Sequence, residues 1–385
     1  MRNSPAWRAS RGFLSASAVA AALWACAGGR PVAQSVPPPV SSIASGAPCD
    51  IQTTERIVAV GDAHGAFEKF VSILREAKLI DSRRRWIGER AIFVQTGDIT
   101  DRGPDSRKII DLLRKLTEEA AKAGGQVHAL LGNHEAMRVL NFYRDVGPGE
   151  YAAFRTPESE SLRDRYYELV LADSQKQAKA AGAKFDARAF RADFLNTTPL
   201  GLVEMQLAFA PKADYGRWLR ERDAVIKING IVFMHGGASP AVAPLGCAGI
   251  NARVRAELGT MTMADPGIET SFLMGTDGPL WYRGLVDGTP GIGAVEVEAV
   301  LAALGARALV VGHTVPDGFR MRSSYEGRIV QIDTGMLNGE FYSKGVPSAL
   351  EIHGSTWTVI YEGRREPLQP SLGGGAPAAL REPQG

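Results

Sequence analysis

The chain has 385 residues, 45% of them hydrophobic and 22% charged, enough apolar material for one large domain or two modest ones with a buried core. Its formal net charge of +2 supplies no global attraction for nucleic acid or an anionic membrane surface, so any anion site must be local. In chain order, Arg2, Arg8 and Arg11 precede an apolar stretch at 13–25 and then small residues, which reads as a secretory signal peptide over 1–27. The apolar part is short for a membrane span. Ala25, Cys26 and Ala27 suit ordinary cleavage, whereas Leu23, Trp24, Ala25 and Cys26 resemble a lipobox in which a lipid on Cys26 would attach the protein to a membrane. Either form places the mature protein in the periplasm or outside the cell. There, Cys49 and Cys247 are either bridged or two separate thiols.

Residues 28–52 are rich in Pro, Ser, Gly and Ala with no apolar period and read as a flexible linker, as does a disordered tail over 364–385. Between them, a domain over 53–363 alternates short β-rich runs with helical patterns. The expected strands are RIVAV (56–60), AIFVQ (91–95), QVHALL (126–131), GIVFM (230–234), ALVVG (308–312) and RIVQI (328–332), with a C-terminal hairpin turning near Ser355. GAFEKFVSILREAKLI puts Phe67, Phe70, Val71, Leu74 and Ala77 on one helical face. The fold class is therefore α/β, in layers around buried strands. Residues 141–224 lack such strands and are charged and helical in pattern, which marks a helical insertion.

Five of these runs end alike: RIVAV enters GDAHG, AIFVQT enters GDITDRG, QVHALL enters GNHE, GIVFM enters HGG and ALVV enters GHT. Open α/β sheets build ligand sites outside the carboxyl ends of their strands, and glycine lets the backbone approach a ligand closely. Four of the six histidines, His64, His134, His235 and His313, fall in these turns beside Asp62, Asp98 and Asn133. His128 and His353 lack such company and read as structural. Imidazole, carboxylate and amide oxygen without thiolate suit Mn, Fe or Zn, and so many donors exceed the needs of one ion. Two divalent or trivalent ions sharing a carboxylate, at the separation of roughly 3.5–4 Å usual for such centres, would use them.

In that order the five motifs resemble those of calcineurin-like metallophosphoesterases, and GDITDRG with GNHE resembles the phosphoprotein phosphatase branch. GPLWYRG, 278–284, is similar to a feature of the bacterial Shewanella-like subgroup. The resemblance implies a central β-sandwich flanked by helices. It implies that Asp62 and His64 hold one metal, that Asp98 bridges both, and that Asn133, His235 and His313 hold the second. Arg102 matches an arginine that grips phosphate, His134 the acid for the leaving oxygen, and Asp101 the residue that orients it. Arg283 is a candidate second phosphate clamp, and Asn133 and Tyr282 are candidate substrate contacts. Trp281 and Tyr282 fit either the core or a pocket wall. The sequence departs from the eukaryotic pattern in LNGEF, 337–341, where Leu337 stands at the place of a tyrosine. A phenolic contact is then missing or supplied by Tyr282 or Tyr342.

The expected activity is hydrolysis of phosphomonoesters, with phosphoserine, phosphothreonine or phosphotyrosine as substrates, by attack of a metal-bridging hydroxide and proton donation from His134. Two cations and one or two arginines would stabilise the charge spread over phosphate oxygens. The partner is thus a phosphorylated protein or small molecule. Hydrolysis of nucleotides or dinucleoside polyphosphates uses nearly the same donors and is the second enzymatic reading. A metal-binding adaptor without catalysis requires a broken constellation, and none is broken.

Overall fold

The computed structural model describes residues 49–339 and 341–368. The signal segment with Cys26, residues 28–48 of the expected linker and residues 369–385 of the tail lie outside them. The strands are β1 (Asp50–Ile51), β2 (Ile57–Val60), β3 (Ile92–Gln95), β4 (Gln126–Ala129), β5 (Val225–Ile228), β6 (Ile231–Met234), β7 (Ala308–Val311), β8 (Arg322–Ser324), β9 (Ile329–Gln331), β10 (Ser348–His353), β11 (Thr356–Tyr361) and β12 (Arg364–Pro367). They form two six-stranded sheets, ordered β1-β5-β6-β7-β9-β8 and β12-β11-β10-β2-β3-β4. Alternate residues point into the layer between the sheets. Ile57, Ala59, Ile92, Val94, Leu350 and Ile352 from one meet Ile226, Ile231, Phe233, Ala308, Val310 and Val330 from the other. Their intervening neighbours Val58, Phe93, Val232 and Leu309 are buried as well, facing the other way, which is why these strands read as continuous apolar runs.

Helix α1 (Phe67–Glu76) buries the face seen in the sequence, Phe67, Phe70, Val71 and Leu74, with Ala77 at its end. After it come α2 (Ser106–Ala123), α3 (Asn133–Val139), α4 (Pro148–Phe154), α5 (Ser159–Ala180), α6 (Ala187–Thr197), α7 (Leu202–Ala208), α8 (Asp214–Arg220), α9 (Gly246–Thr260) and α10 (Ala294–Leu304). Tyr151–Trp218 forms a compact unit of its own, with an aromatic cluster of Tyr166, Tyr167 and Phe194. The insertion is therefore shorter than 141–224, since residues up to Glu150 and from Leu219 belong to the body.

Two further boundaries differ from expectation. Asp50–Ile51, placed in the linker, pairs in parallel with β5, and Cys49 beside it is joined to Cys247 by a disulfide, the Cα atoms 6.0 Å apart. Arg364–Pro367, placed in the tail, pairs antiparallel with β11. Both strands lie at sheet edges, where polar residues and proline are tolerated.

The parallel sets β2-β3-β4 and β6-β7-β9 decide where function can lie. Within each set the carboxyl ends point the same way, so the turns after β2, β3 and β4 gather, as do those after β6 and β7.

Candidate metal and phosphate site

Each of the five turns delivers its side chains to one buried centre. Asp62, His64, Asp98, Asp101, Asn133, His134, His235 and His313 are all buried. The backbone is bent hard to achieve this: His64, Asp98, Asp101, Arg102 and His313 adopt φ of 42°, 55°, 70°, 63° and 63°. The left-handed region is unfavourable for residues with a Cβ, and its concentration here points to a site that other contacts over-determine. Two glycines make the approach possible. A Cβ on Gly132 would stand 2.1 Å from Asp98 Oδ1, and one on Gly312 would stand 2.3 Å from Asp62 Oδ1.

The hydrogen bonds fix which ring atoms face the centre. His64 Nδ1 lies 3.1 Å from Thr100 O and His235 Nδ1 lies 3.0 Å from Thr96 O. A carbonyl only accepts, so both Nδ1 atoms carry the proton and both Nε2 atoms are left for the centre. Burial, and then Arg102, hold the His64 pKa well below the usual histidine range, and burial, Arg283 and His235 do the same for His313. Neutral rings are what metal ligation requires.

Around His235 Nε2 the neighbours are Asn133 Oδ1 at 2.9 Å, His313 Nδ1 at 3.1 Å and Asp98 Oδ1 at 3.2 Å. Imidazole nitrogens, a carboxylate oxygen and an amide oxygen thus converge here without thiolate, a donor set that fits a metal ion. His313 Nε2, buried and without a hydrogen-bond partner among the described residues, is a further orphaned donor. On the other side, Asp98 Oδ2 lies 3.6 Å from His64 Nε2 and 3.7 Å from His134 Nε2. Two groups therefore have ligand atoms close enough for one ion each, His64 with Asp98 and His134, and Asp98 with His235 and His313. Asp98 is common to both. Asp62 lies just outside, 3.9 Å from His64 Nε2, and its carboxylate accepts the His313 N–H at 3.1 Å. Burial, Asp333 and Asp98 raise its pKa well above the ordinary range.

His134 belongs to a different chain of contacts. Its Nδ1 donates to Asp101 Oδ2 at 3.0 Å, and Arg138 donates to the other Asp101 oxygen and, at 3.1 Å, to Glu150, which accepts from Ser106. Burial alone would lower the His134 pKa, but Asp98 and Asp101 outweigh it and raise it. The ring can therefore hold a proton on Nε2, facing the centre. Arg102 leans over the same space, NH1 3.0 Å from His64 Nε2 and NH2 3.4 Å from His134 Nε2. Arg283 donates to His313 O at 2.9 Å, and the Trp281 ring stands edge-on to His313 at 5.9 Å. Tyr282 packs its ring against Gly237 and Gly284, beside the HGG turn, and is nearly fully buried.

Four residues that build this site were not among those expected from the sequence. Glu135 accepts the N–H groups of Asp98, Ile99, Thr100 and Gly132 and the Thr100 hydroxyl, clamping GDITDRG to GNHE. Arg138 lies one turn beyond His134 on α3, a visible i, i+4 relation. Glu150 had been assigned to the insertion. Asp333, buried and pushed up to about 6 by burial, lies beside Asp62 after β9, a sixth strand end that carries no histidine to announce it.

A β-sandwich whose strand ends converge on a histidine and carboxylate centre, with arginines beside it, defines a metal-dependent phosphoesterase by class. Residues 55–317 match the Calcineurin-like phosphoesterase family, and the chain belongs to it. It is 27% identical over 306 residues to Shewanella-like protein phosphatase 1 of Plasmodium berghei, covering 79% of this chain and 73% of that one. Over 302 residues it is 28% identical to Shewanella-like protein phosphatase 2 of Arabidopsis thaliana, covering 77% and 75%. Among solved structures, the cold-active protein-tyrosine phosphatase of a psychrophilic Shewanella species superposes with a TM-score of 0.61 at 25% identity, covering 84% of this chain and 83% of that one. The chain is thus a hydrolase of a metal-dependent family.

Proposed function

We propose that the protein is a two-metal phosphomonoesterase acting on phosphorylated protein side chains. The observation that carries this reading is the crowd of acceptor atoms around Asp98, adjoined by Arg102 and by a histidine that can hold a proton. Asp62 and His64 would hold one ion, Asn133, His235 and His313 the other, and Asp98 both. Bound Mn, Fe or Zn would supply Lewis-acid charge and a more acidic water. Arg102 would meet two phosphate oxygens with its planar fork, with Arg283 a second clamp on the far side. His134 would give its Nε2 proton to the departing oxygen while Asp101, itself held by Arg138, keeps the ring in place.

The names of the relatives, protein phosphatases in two organisms and a protein-tyrosine phosphatase in a third, support a phosphoprotein substrate. A panel of phosphoserine, phosphothreonine and phosphotyrosine peptides against nucleotides and dinucleoside polyphosphates tests it. Phosphopeptide turnover is expected, and exclusive cleavage of nucleotides would refute it. The N-terminal segment and the Cys49–Cys247 disulfide support export to an oxidising space. Cell fractionation should place the protein outside the cytoplasm, and a cytoplasmic pool with reduced thiols would refute that.

A further inference from the structure

Resting on the phosphoesterase reading, we infer that Tyr342 is the positioning residue of the phosphate clamp, its phenol oxygen holding the Arg102 guanidinium in the orientation that meets substrate. Arg102 NH1 donates to Tyr342 Oη. The guanidinium carbon lies 5.7 Å from the centre of the Tyr342 ring and 5.8 Å from that of Phe341. The cation is therefore contacted by a hydroxyl and by two aromatic rings.

Tyr342 sits in a seat shaped by missing side chains. A Cβ on Gly335, itself at φ of 67°, would stand 2.8 Å from Tyr342 Cγ, and one on Gly345 would stand 3.1 Å from Tyr342 Cβ. The Tyr342 carbonyl accepts the N–H groups of Gly339 and Gly345, both at 3.1 Å, so the loop closes on the residue from both sides. Phe319 stands edge-on to its ring at 6.4 Å. By contrast Leu337, where the related eukaryotic pattern has a tyrosine, directs Cδ1 at Gly103, 3.1 Å from where a Cβ there would be. Tyr282, the other phenol considered, packs against Gly237 and Gly284. The hydroxyl at Arg102 thus comes from five residues after Leu337.

A phenol suits this task for two reasons. Arginine has high rotamer freedom, and a fixed acceptor removes much of it before substrate arrives. A neutral oxygen also leaves the positive charge available, whereas a carboxylate in its place would compete with phosphate.

Tyr342→Phe keeps the ring and removes the oxygen. With p-nitrophenyl phosphate as substrate and inorganic phosphate as inhibitor, KM and the inhibition constant should both rise about tenfold, the scale of one lost hydrogen bond to a charged group. Turnover should change less and metal content not at all. In an Arg102→Ala background the same substitution should have no further effect. An active wild type with unchanged constants in Tyr342→Phe would overturn the inference, as would an equal effect in the Arg102→Ala background. If the wild type neither turns over p-nitrophenyl phosphate nor binds phosphate, the phosphoesterase reading falls and this one with it.

Discussion

Replacing Glu135 by glutamine would test how the two central turns are held. The carboxylate is fully buried and accepts five hydrogen bonds. Oε2 takes Asp98 N and Gly132 N at 2.8 Å, and Oε1 takes Ile99 N and Thr100 N at 2.9 Å and Thr100 Oγ1 at 3.0 Å. Glutamine has one acceptor oxygen, so its NH₂ must face at least two backbone donors. Two lost bonds to a charged acceptor amount to about 3–6 kcal/mol. That is the scale of holding Asp98, Asp101 and Arg102 left-handed, roughly 1–2 kcal/mol for each residue. The clamp and the strain are therefore matched, and removing the clamp should let the turn relax away from the centre. Calorimetric metal titration should show affinity weakened ~10–100-fold, the range typical of outer-shell substitutions, while circular dichroism shows the sandwich intact. A folded Glu135→Gln protein that binds metal and turns over p-nitrophenyl phosphate like the wild type would refute this reasoning.

His134→Gln should slow alkyl phosphate hydrolysis by about 10²–10⁴, and p-nitrophenyl phosphate hydrolysis less, because nitrophenolate departs without a proton. Equal losses on both substrates would mean that His134 serves the metals instead. Arg138→Met leaves Asp101 and Glu150 buried without their shared cation, a change worth roughly 3–5 kcal/mol, to be read as a lowered urea midpoint; an unchanged midpoint would show the carboxylates have other support. Gly312→Ala should displace Asp62 or the His313 backbone and reduce bound metal, and full occupancy in that variant would show that the turn has room to give.

Much of the site could be read from the chain because it is made of repeated local events, a buried strand followed by a glycine-bounded turn. Strands buried on both faces leave an unbroken apolar run, as IVAV and ALVV do. Edge strands leave no such trace: RSS in β8 and RREP in β12 are short and polar, although each pairs with the strand next to it in sequence. β5 is a different case. VIKI and IVFM are joined by Asn229-Gly230, at φ of 51° and 72°, a two-residue hairpin signal present in the sequence and overlooked beside the long insertion. Glu135 and Glu150 were hidden for another reason. Apart from Gly132 N, three residues before Glu135, their donors lie in distant segments, and no spacing rule reveals such pairings. The phenol at Arg102 likewise depends on how a glycine-rich loop folds back, which carries no period.

The claim on which the rest depends is that Asp98 is shared between two ions. Metal analysis of purified wild type beside Asp98→Asn, with p-nitrophenyl phosphate turnover measured on the same samples, tests it directly. Two bound ions per wild-type chain are expected, and in Asp98→Asn the loss of at least one ion together with turnover. Undiminished metal content and turnover in Asp98→Asn would contradict it.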